Sequence, residues 1–256
     1  MNGKTVIITG GGSGIGKAMA MKFAAEGANV VITGRNPERL KQAKAEMKSL
    51  NGQVLDFQMD VRDPEHVQAM ILATKNQFGK IDALVNNAAG NFVCPAEELS
   101  INGWKSVIDI VLNGTWYCSQ AVGKEWIANN QTGSILNIVA TYAWGAGPGT
   151  IHSASAKAGV LSMTRTLAVE WGSKYGIRVN CIAPGPIENT EGVARLIETR
   201  NVYQEAINSV PLKRFGKAEE IANLANFLLS PEAEYMNGEC ITMDGGRWLN
   251  NQIIKN

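Results

Sequence analysis

The sequence predicts a single-domain α/β protein, a doubly wound parallel sheet flanked by helices. Two observations predict the class. Short apolar, β-branched runs alternate with helix-length segments along the chain. The runs are continuously apolar rather than alternating, as strands buried on both faces are. A third observation sets the domain count: 256 residues with no linker, repeat or low-complexity tract read as one domain spanning 1–256.

Lys4–Thr9 is the first strand, followed by the glycine cluster Gly10–Gly16 and a helix running to Gly27, a residue suited to a helix end. Asn29–Thr33 is the second strand. Asn36-Pro37-Glu38 starts a helix, with Asn36 as N-cap and proline at the first helical position. Gln53–Met59 is the third strand, and Asp63-Pro64-Glu65 repeats the start signal. Ile81–Val85 is the fourth, ending in Asn86-Asn87-Ala88-Ala89-Gly90, and a long helical region covers Ile101–Asn129. Ser134–Val139 is the fifth strand. The glycine-rich loop Tyr142–Ile151 leads to a helix over His152–Lys174, and Ile177–Ile182 is the sixth strand. After Pro184-Gly185-Pro186, an amphipathic helix over Glu191–Ser209 reads as part of a substrate flap near 188–210. Lys217–Leu229 is a further helix, Glu239–Met243 the last strand, and a short tail starts at Arg247.

With 45% hydrophobic and 18% charged residues the chain reads as soluble and globular. A net charge of +1 gives no basic field, which argues against nucleic acid or an anionic membrane as partner. The four cysteines form no CxxC pair and the two histidines, His66 and His152, have no metal-ligand spacing. A reduced, cytoplasmic protein without structural metal is expected. The opening MNGKTVIITG reads as neither signal peptide nor membrane span.

The first strand runs directly into Thr9-Gly10-Gly11-Gly12-Ser13-Gly14-Ile15-Gly16 and a helix follows. Glycines there permit a sharp turn and close approach to a pyrophosphate, while the helix N-terminus offers free N–H groups and a positive dipole end. This strand–turn–helix setting makes the fold Rossmann-like and assigns Thr9, Gly10, Gly12, Ser13, Gly14, Ile15 and Gly16 to a dinucleotide. Where an NAD-binding chain usually carries an acid after the second strand, this chain has Gly34 and then Arg35. A guanidinium grips a 2′-phosphate that a carboxylate would repel, so NADP(H) is expected. Asp60 reads as an acceptor for the adenine amino group or as a helix-start residue.

These residues, with Asn86–Gly90, Asn113 in the long helix and Pro184-Gly185, resemble the short-chain dehydrogenase/reductase family over essentially the whole chain. One departure is informative. Members mostly carry a Tyr four residues before the active-site Lys and a Ser thirteen before that Tyr. Here Lys157 is preceded by Ser153, and Ala140 fills the earlier position. An ordinary alcohol dehydrogenase or ketone reductase is therefore not expected. Tyr142 stands eleven residues before Ser153. With the stretch Ser153–Val160, Asn86–Phe92, Asp109–Thr115 and Pro184–Ile187, this arrangement is similar to the 2,4-dienoyl-CoA reductases of the family.

The resemblance implies hydride transfer from NADPH to C5 of a 2,4-dienoyl-CoA, giving a 3-enoyl-CoA in the β-oxidation of unsaturated fatty acids. It implies that Tyr142 and Asn113 donate to the thioester oxygen, that Lys157 holds the nicotinamide ribose and that Ser153 lies near the nicotinamide. It adds Val61, Asn87, Ala88, Gly90, Pro184, Gly185, Pro186 and Ile187 to the cofactor set. Arg35, Arg62, Asn91, Phe92, Ser153 and Arg195 join the substrate contacts, and a homotetramer is implied. By spacing alone Tyr142 reads equally as a packing ring, Asn113 as a helix-kinking residue, and Arg62 and Arg195 as surface side chains. Trp104, Trp116, Trp126, Trp144 and Trp171 read as core and interface, with Trp144 also placed to line an acyl pocket. Rival readings are a 2-enoyl-CoA reductase, another short-chain reductase using a different acid, and a non-catalytic NADP(H) sensor.

Overall fold

A computed structural model describes residues 1–190 and 200–250. Its seven strands are β1 (Thr5–Thr9), β2 (Asn29–Gly34), β3 (Val54–Gln58), β4 (Ala83–Asn86), β5 (Ser134–Ile138), β6 (Arg178–Pro184) and β7 (Cys240–Met243). All pair in parallel in the order β3-β2-β1-β4-β5-β6-β7. Strand order reverses between β1 and β4, and a crevice opens beyond their carboxyl ends, where open α/β sheets bind ligands.

Alternation along β1 divides the core. Val6 and Ile8 pack with Met19 and Phe23 from α1 (Gly14–Ala25) and with Ile221 and Leu228 from the helix Ala218–Leu228. Ile7 faces the opposite layer with Met70, Val122 and Leu167, carried by α3 (Pro64–Phe78), α5 (Gly114–Ala128) and α6 (Ile151–Tyr175). All five residues of β1 are buried, which explains its unbroken apolar and β-branched run.

The start signals act as expected. The Asn36 side chain accepts from the Arg39 N–H at 3.0 Å and opens α2 (Pro37–Glu46). Asp63 caps α3 by accepting from Glu65 and His66, which makes Asp63 rather than Asp60 the helix-start residue. Helix α1 stops at Ala25; Gly27 lies two residues on, at φ +84°. The expected helix over Ile101–Asn129 is three pieces: α4 (Ile101–Ile108), a π-helical turn (Asp109–Asn113) and α5. Of the expected flap helix, Arg200–Asn208 is described as α7, and Arg195 lies outside the described residues. Helix α8 (Ala218–Leu228) and a 3₁₀ turn at Arg247–Leu249 complete the fold. Among the described residues no helix is long and apolar enough to cross a membrane, and no cluster of His, Cys, Asp and Glu is arranged to hold a metal ion.

Candidate active site

The turn after β1 is shaped by what its glycines exclude. Gly10 and Gly14 sit at φ +68° and +51°, left-handed values that side chains resist. A Cβ on Gly16 would lie 2.3 Å from the Gly10 carbonyl oxygen, so helix and turn touch only because that atom is missing. Ser13 stands at the N-cap of α1 without a side-chain cap bond, leaving the first helical N–H groups for an anion. Ile15 turns the other way and packs on the core.

The β4 turn is bonded to this loop. Thr9 Oγ1 accepts from the N–H groups of Asn87 and Ala88, each at 3.0 Å. The Asn87 amide donates to the carbonyls of Thr9 and Gly10. Asn87 thus braces the phosphate turn. Gly90 lies farther along, facing Ile110.

A cleft of about 360 Å³ extends from this turn, with Gly10, Gly12 and Ser13 at one end. Arg35 and Arg39 line it from the start of α2, Asp60 and Val61 from the end of β3, and Ala88 from the β4 turn beside Gly10. Arg39 was not expected from the sequence. Its signal was a second guanidinium four residues after Arg35, brought back to the cleft by the turn at Asn36-Pro37. Glycines that admit close approach, unspent helix amides and two guanidiniums fit a dinucleotide bearing phosphates.

Asp60 and Arg62 form a forked ion pair: Arg62 Nε lies 3.0 Å from both carboxylate oxygens and Nη2 2.5 Å from Oδ2. This pairing holds the Asp60 carboxyl below the usual range, against the opposing effect of burial, with a further contribution from Arg35. Asp109 adds a weaker attraction on Arg62. Arg62 is thus engaged by Asp60, the residue expected to read adenine. Val61, between them, packs against Gly114, where any Cβ would lie 2.6 Å from Val61 Cγ2.

The second half of the site lies beyond β5. A 3₁₀ turn at Thr141–Ala143 carries Tyr142 over the first turns of α6. The Tyr142 hydroxyl lies 3.1 Å from Ser153 Oγ. Burial raises the Tyr142 pKa, with the Ser153 bond opposing it, so the group is a neutral phenol at neutral pH. One turn along α6, the buried Lys157 ammonium donates to the Ile138 carbonyl at 2.5 Å, and burial pushes its pKa down to about 8. Asn113 ends the π-helical turn, and its amide donates to Asp109 Oδ1 at 2.8 Å. One of its N–H groups is therefore spent inside the turn. Helix α6 packs closely on this segment, since a Cβ on Gly159 would meet Leu112 at 2.9 Å. Asn91 accepts from the Phe92 N–H, and the Phe92 ring meets the buried His152 edge-on at 4.4 Å.

The Pro184–Ile187 turn is held by backbone bonds on both sides. Gly185 donates to the Met243 carbonyl, the Pro186 carbonyl accepts from Gly216, and Ile187 is buried. Beyond it the chain passes over the phosphate turn: a Cβ on Gly14 would lie 3.6 Å from Thr190 Cγ2.

The structure therefore gathers Tyr142, Ser153 and Lys157 into one cluster, with Asn113 on an adjoining segment. A separate group of Gly10–Gly16, Arg35, Asp60 and Val61 lies toward the other end of the crevice. A buried neutral phenol and a buried ammonium can stabilise an oxyanion, and the glycine cleft fits a phosphate-bearing dinucleotide.

A family model described as enoyl-(acyl carrier protein) reductase matches residues 10–247. A Bacillus subtilis protein named "probable 2,4-dienoyl-CoA reductase [(2E)-enoyl-CoA-producing]" is 62% identical, over 98% of both chains. A Danio rerio protein named peroxisomal 2,4-dienoyl-CoA reductase [(3E)-enoyl-CoA-producing] is 42% identical, over 97% of this chain and 83% of its own. Among solved structures, a short-chain dehydrogenase from Bacillus anthracis superposes with a TM-score of 0.90 at 61% identity, covering 97% of this chain and 98% of that one. Levodione reductase superposes at 0.92 with 34% identity, over 98% and 99%. The chain belongs to the short-chain dehydrogenase/reductase family and is an oxidoreductase with the nicotinamide-cofactor fold of that family.

Proposed function

We propose that the protein reduces 2,4-dienoyl-CoA thioesters with NADPH. The observation that carries this reading is the displaced phenol. The helix position one turn before Lys157 holds Ser153, and Tyr142 reaches the same place from the preceding loop. A phenol on that loop leaves room for a substrate whose charge develops on a thioester oxygen rather than on a carbonyl directly attacked by hydride. The names of the Bacillus and Danio relatives support the substrate class.

When bound, the cofactor supplies a hydride to C5 of the dienoyl chain. Gly10–Gly16 and the α1 amides would hold its pyrophosphate, Arg35 and Arg39 a 2′-phosphate, Asp60 the adenine, and Lys157 the nicotinamide ribose. Pro184–Ile187 would wall the nicotinamide. Electron density pushed through the conjugated chain collects on the thioester oxygen, and the resulting dienolate needs donors there. Tyr142 donates to that oxygen while Ser153 donates to the Tyr142 oxygen, so one hydroxyl orients the other. Asn113 contributes its second N–H. A proton delivered to Cα gives the 3-enoyl-CoA. Protonation at C4 of the same dienolate gives a 2-enoyl-CoA, and the name of the Bacillus relative favours that second reading. Arg62 and Arg195 would contact the CoA moiety, together with Asn91 and Phe92 near the acyl group.

The reading includes action in the cytoplasm, on unsaturated acyl chains in β-oxidation, as a homotetramer with its flap near 188–210. The test is NADPH oxidation by the purified protein with 2,4-hexadienoyl-CoA and with 2-hexenoyl-CoA. Turnover of the diene supports the assignment, and turnover of the monoene alone defeats it.

A further inference from the structure

Two tryptophans at the carboxyl edge of the sheet meet where no core requires them. Trp144 lies two residues beyond Tyr142, on the end of the same 3₁₀ turn. Trp248 lies in the turn that follows β7. Their rings meet edge-on with centroids 5.8 Å apart, yet they remain 38% and 46% exposed. Indoles half in water are costly unless something apolar covers them.

The turn carrying Trp248 is built rather than loose. Asp244, 8% exposed, accepts from the Gly246 N–H at 2.9 Å and the Trp248 N–H at 2.7 Å. Arg247 and Asn250 donate to Ser209. Gly245 and Gly246 take φ +66° and +85°, which a turn this tight demands. Asp244 also abuts Gly185, where a Cβ would lie 2.6 Å from it. A line of contacts therefore runs from the expected nicotinamide wall, through Asp244 and Trp248, to Trp144 and the Tyr142 loop. Leu212 joins the same rim beside Gly245 and is 65% exposed.

We infer that Trp144 and Trp248 form an aromatic wall on which the acyl chain of the substrate lies, making Trp248 a determinant of chain-length preference. The inference rests on the acyl-CoA reading above and deepens it. Short chains end near Tyr142 and do not reach the indoles, whereas longer chains cover both rings.

The test is calorimetric binding of butanoyl-, hexanoyl- and decanoyl-CoA to the full-length protein, with 2,4-decadienoyl-CoA turnover measured separately. Wild-type affinity rises with length, by about fourfold for each methylene that packs on the pair. In Trp248→Ala the ratio of decanoyl to butanoyl affinity falls about tenfold, and Trp248→Phe restores most of it. Trp144→Ala removes the facing ring and gives the same loss of ratio, which keeps the test decisive if one variant folds poorly. An unchanged ratio in both alanine variants overturns the inference, as does a wild-type affinity indifferent to chain length. Equal weakening at every length also overturns it, because that is the signature of a subunit contact or a general loss of structure. Length-dependent binding without diene turnover would sink the reductase assignment and leave the aromatic wall standing.

Discussion

The Tyr142 hydroxyl and Ser153 Oγ lie 3.1 Å apart, joining a loop residue to the helix position one turn before Lys157. With burial holding the phenol neutral, Tyr142 has one proton to donate, and it can go to a substrate only if Ser153 acts as donor toward the phenol oxygen. Tyr142→Phe removes an oxyanion donor while keeping the ring. It is expected to lower kcat toward 2,4-dienoyl-CoA by roughly 10²–10³-fold, the cost of losing one such group. Ser153→Ala leaves the phenol in place but free to rotate, and costs less. Steady-state kinetics with parallel NADPH titrations checks this. Near-normal turnover in Tyr142→Phe means that the phenol does not face the reacting oxygen.

The sheet and most helix ends were legible because their causes are local. The β1 run is apolar at every position since both faces are covered, and Asn36-Pro37 and Asp63-Pro64 start helices through bonds made within three residues. The π-helical turn at Asp109–Asn113 was not legible. One wide turn leaves the apolar spacing of a long helix nearly unchanged, so Ile101–Asn129 reads as continuous. The Asp60–Arg62 pair was hidden for a related reason: residues two apart meet only at a bend, and each looked available for a separate ligand. Trp248 carries no local signal because its meaning comes from Trp144, 104 positions away in sequence and adjacent only once β7 docks on β6.

If Lys157 holds the nicotinamide ribose as proposed, cofactor binding is expected to weaken at alkaline pH. Burial disfavours its charged form and brings its pKa to about 8 from an ordinary value of 10.5. The ammonium is therefore charged below pH 8 and lost above it. The charged form attracts an anionic dinucleotide and any developing oxyanion, so kcat/KM is expected to fall as pH rises through about 8. A profile in kcat/KM reports the free enzyme, the state to which this value belongs. NADPH affinity measured across the same range should weaken in the wild type and be weak and flat in Lys157→Met. A wild-type affinity constant to pH 10 would contradict the assignment of this limb to Lys157.

Arg35 and Arg39 line one cleft from successive turns of the chain. If both face a 2′-phosphate, each contributes a charge-assisted bond that NADH cannot use. Arg35→Ala is expected to weaken NADPH by roughly 10- to 100-fold, equivalent to about 1.5–3 kcal/mol, with little change for NADH. Arg39→Ala acts in the same direction by a smaller factor, since it reaches in from the helix. Fluorescence titration with both dinucleotides measures the ratio. Equal weakening of NADPH and NADH would assign these arginines to the pyrophosphate or to the fold instead of to cofactor choice.

The position of the final proton follows from where the protein places its donors. A dienolate formed by hydride attack at C5 carries charge on the thioester oxygen, on Cα and on C4. Tyr142, Ser153 and the Asn113 amide all address the oxygen end in the proposed site. Cα is adjacent to the thioester carbon, whereas C4 lies two bonds farther along the chain. Donors gathered at the oxygen therefore favour delivery at Cα and a 3-enoyl product. Reduction of 2,4-decadienoyl-CoA by unlabelled NADPH in deuterated water, followed by NMR of the product, reads this directly. Deuterium is expected at C2 with the double bond between C3 and C4. Deuterium at C4 with a conjugated 2-ene would mean that another donor lies along the chain. The phenol would then stabilise the oxygen without supplying the proton, in keeping with the product named for the Bacillus relative.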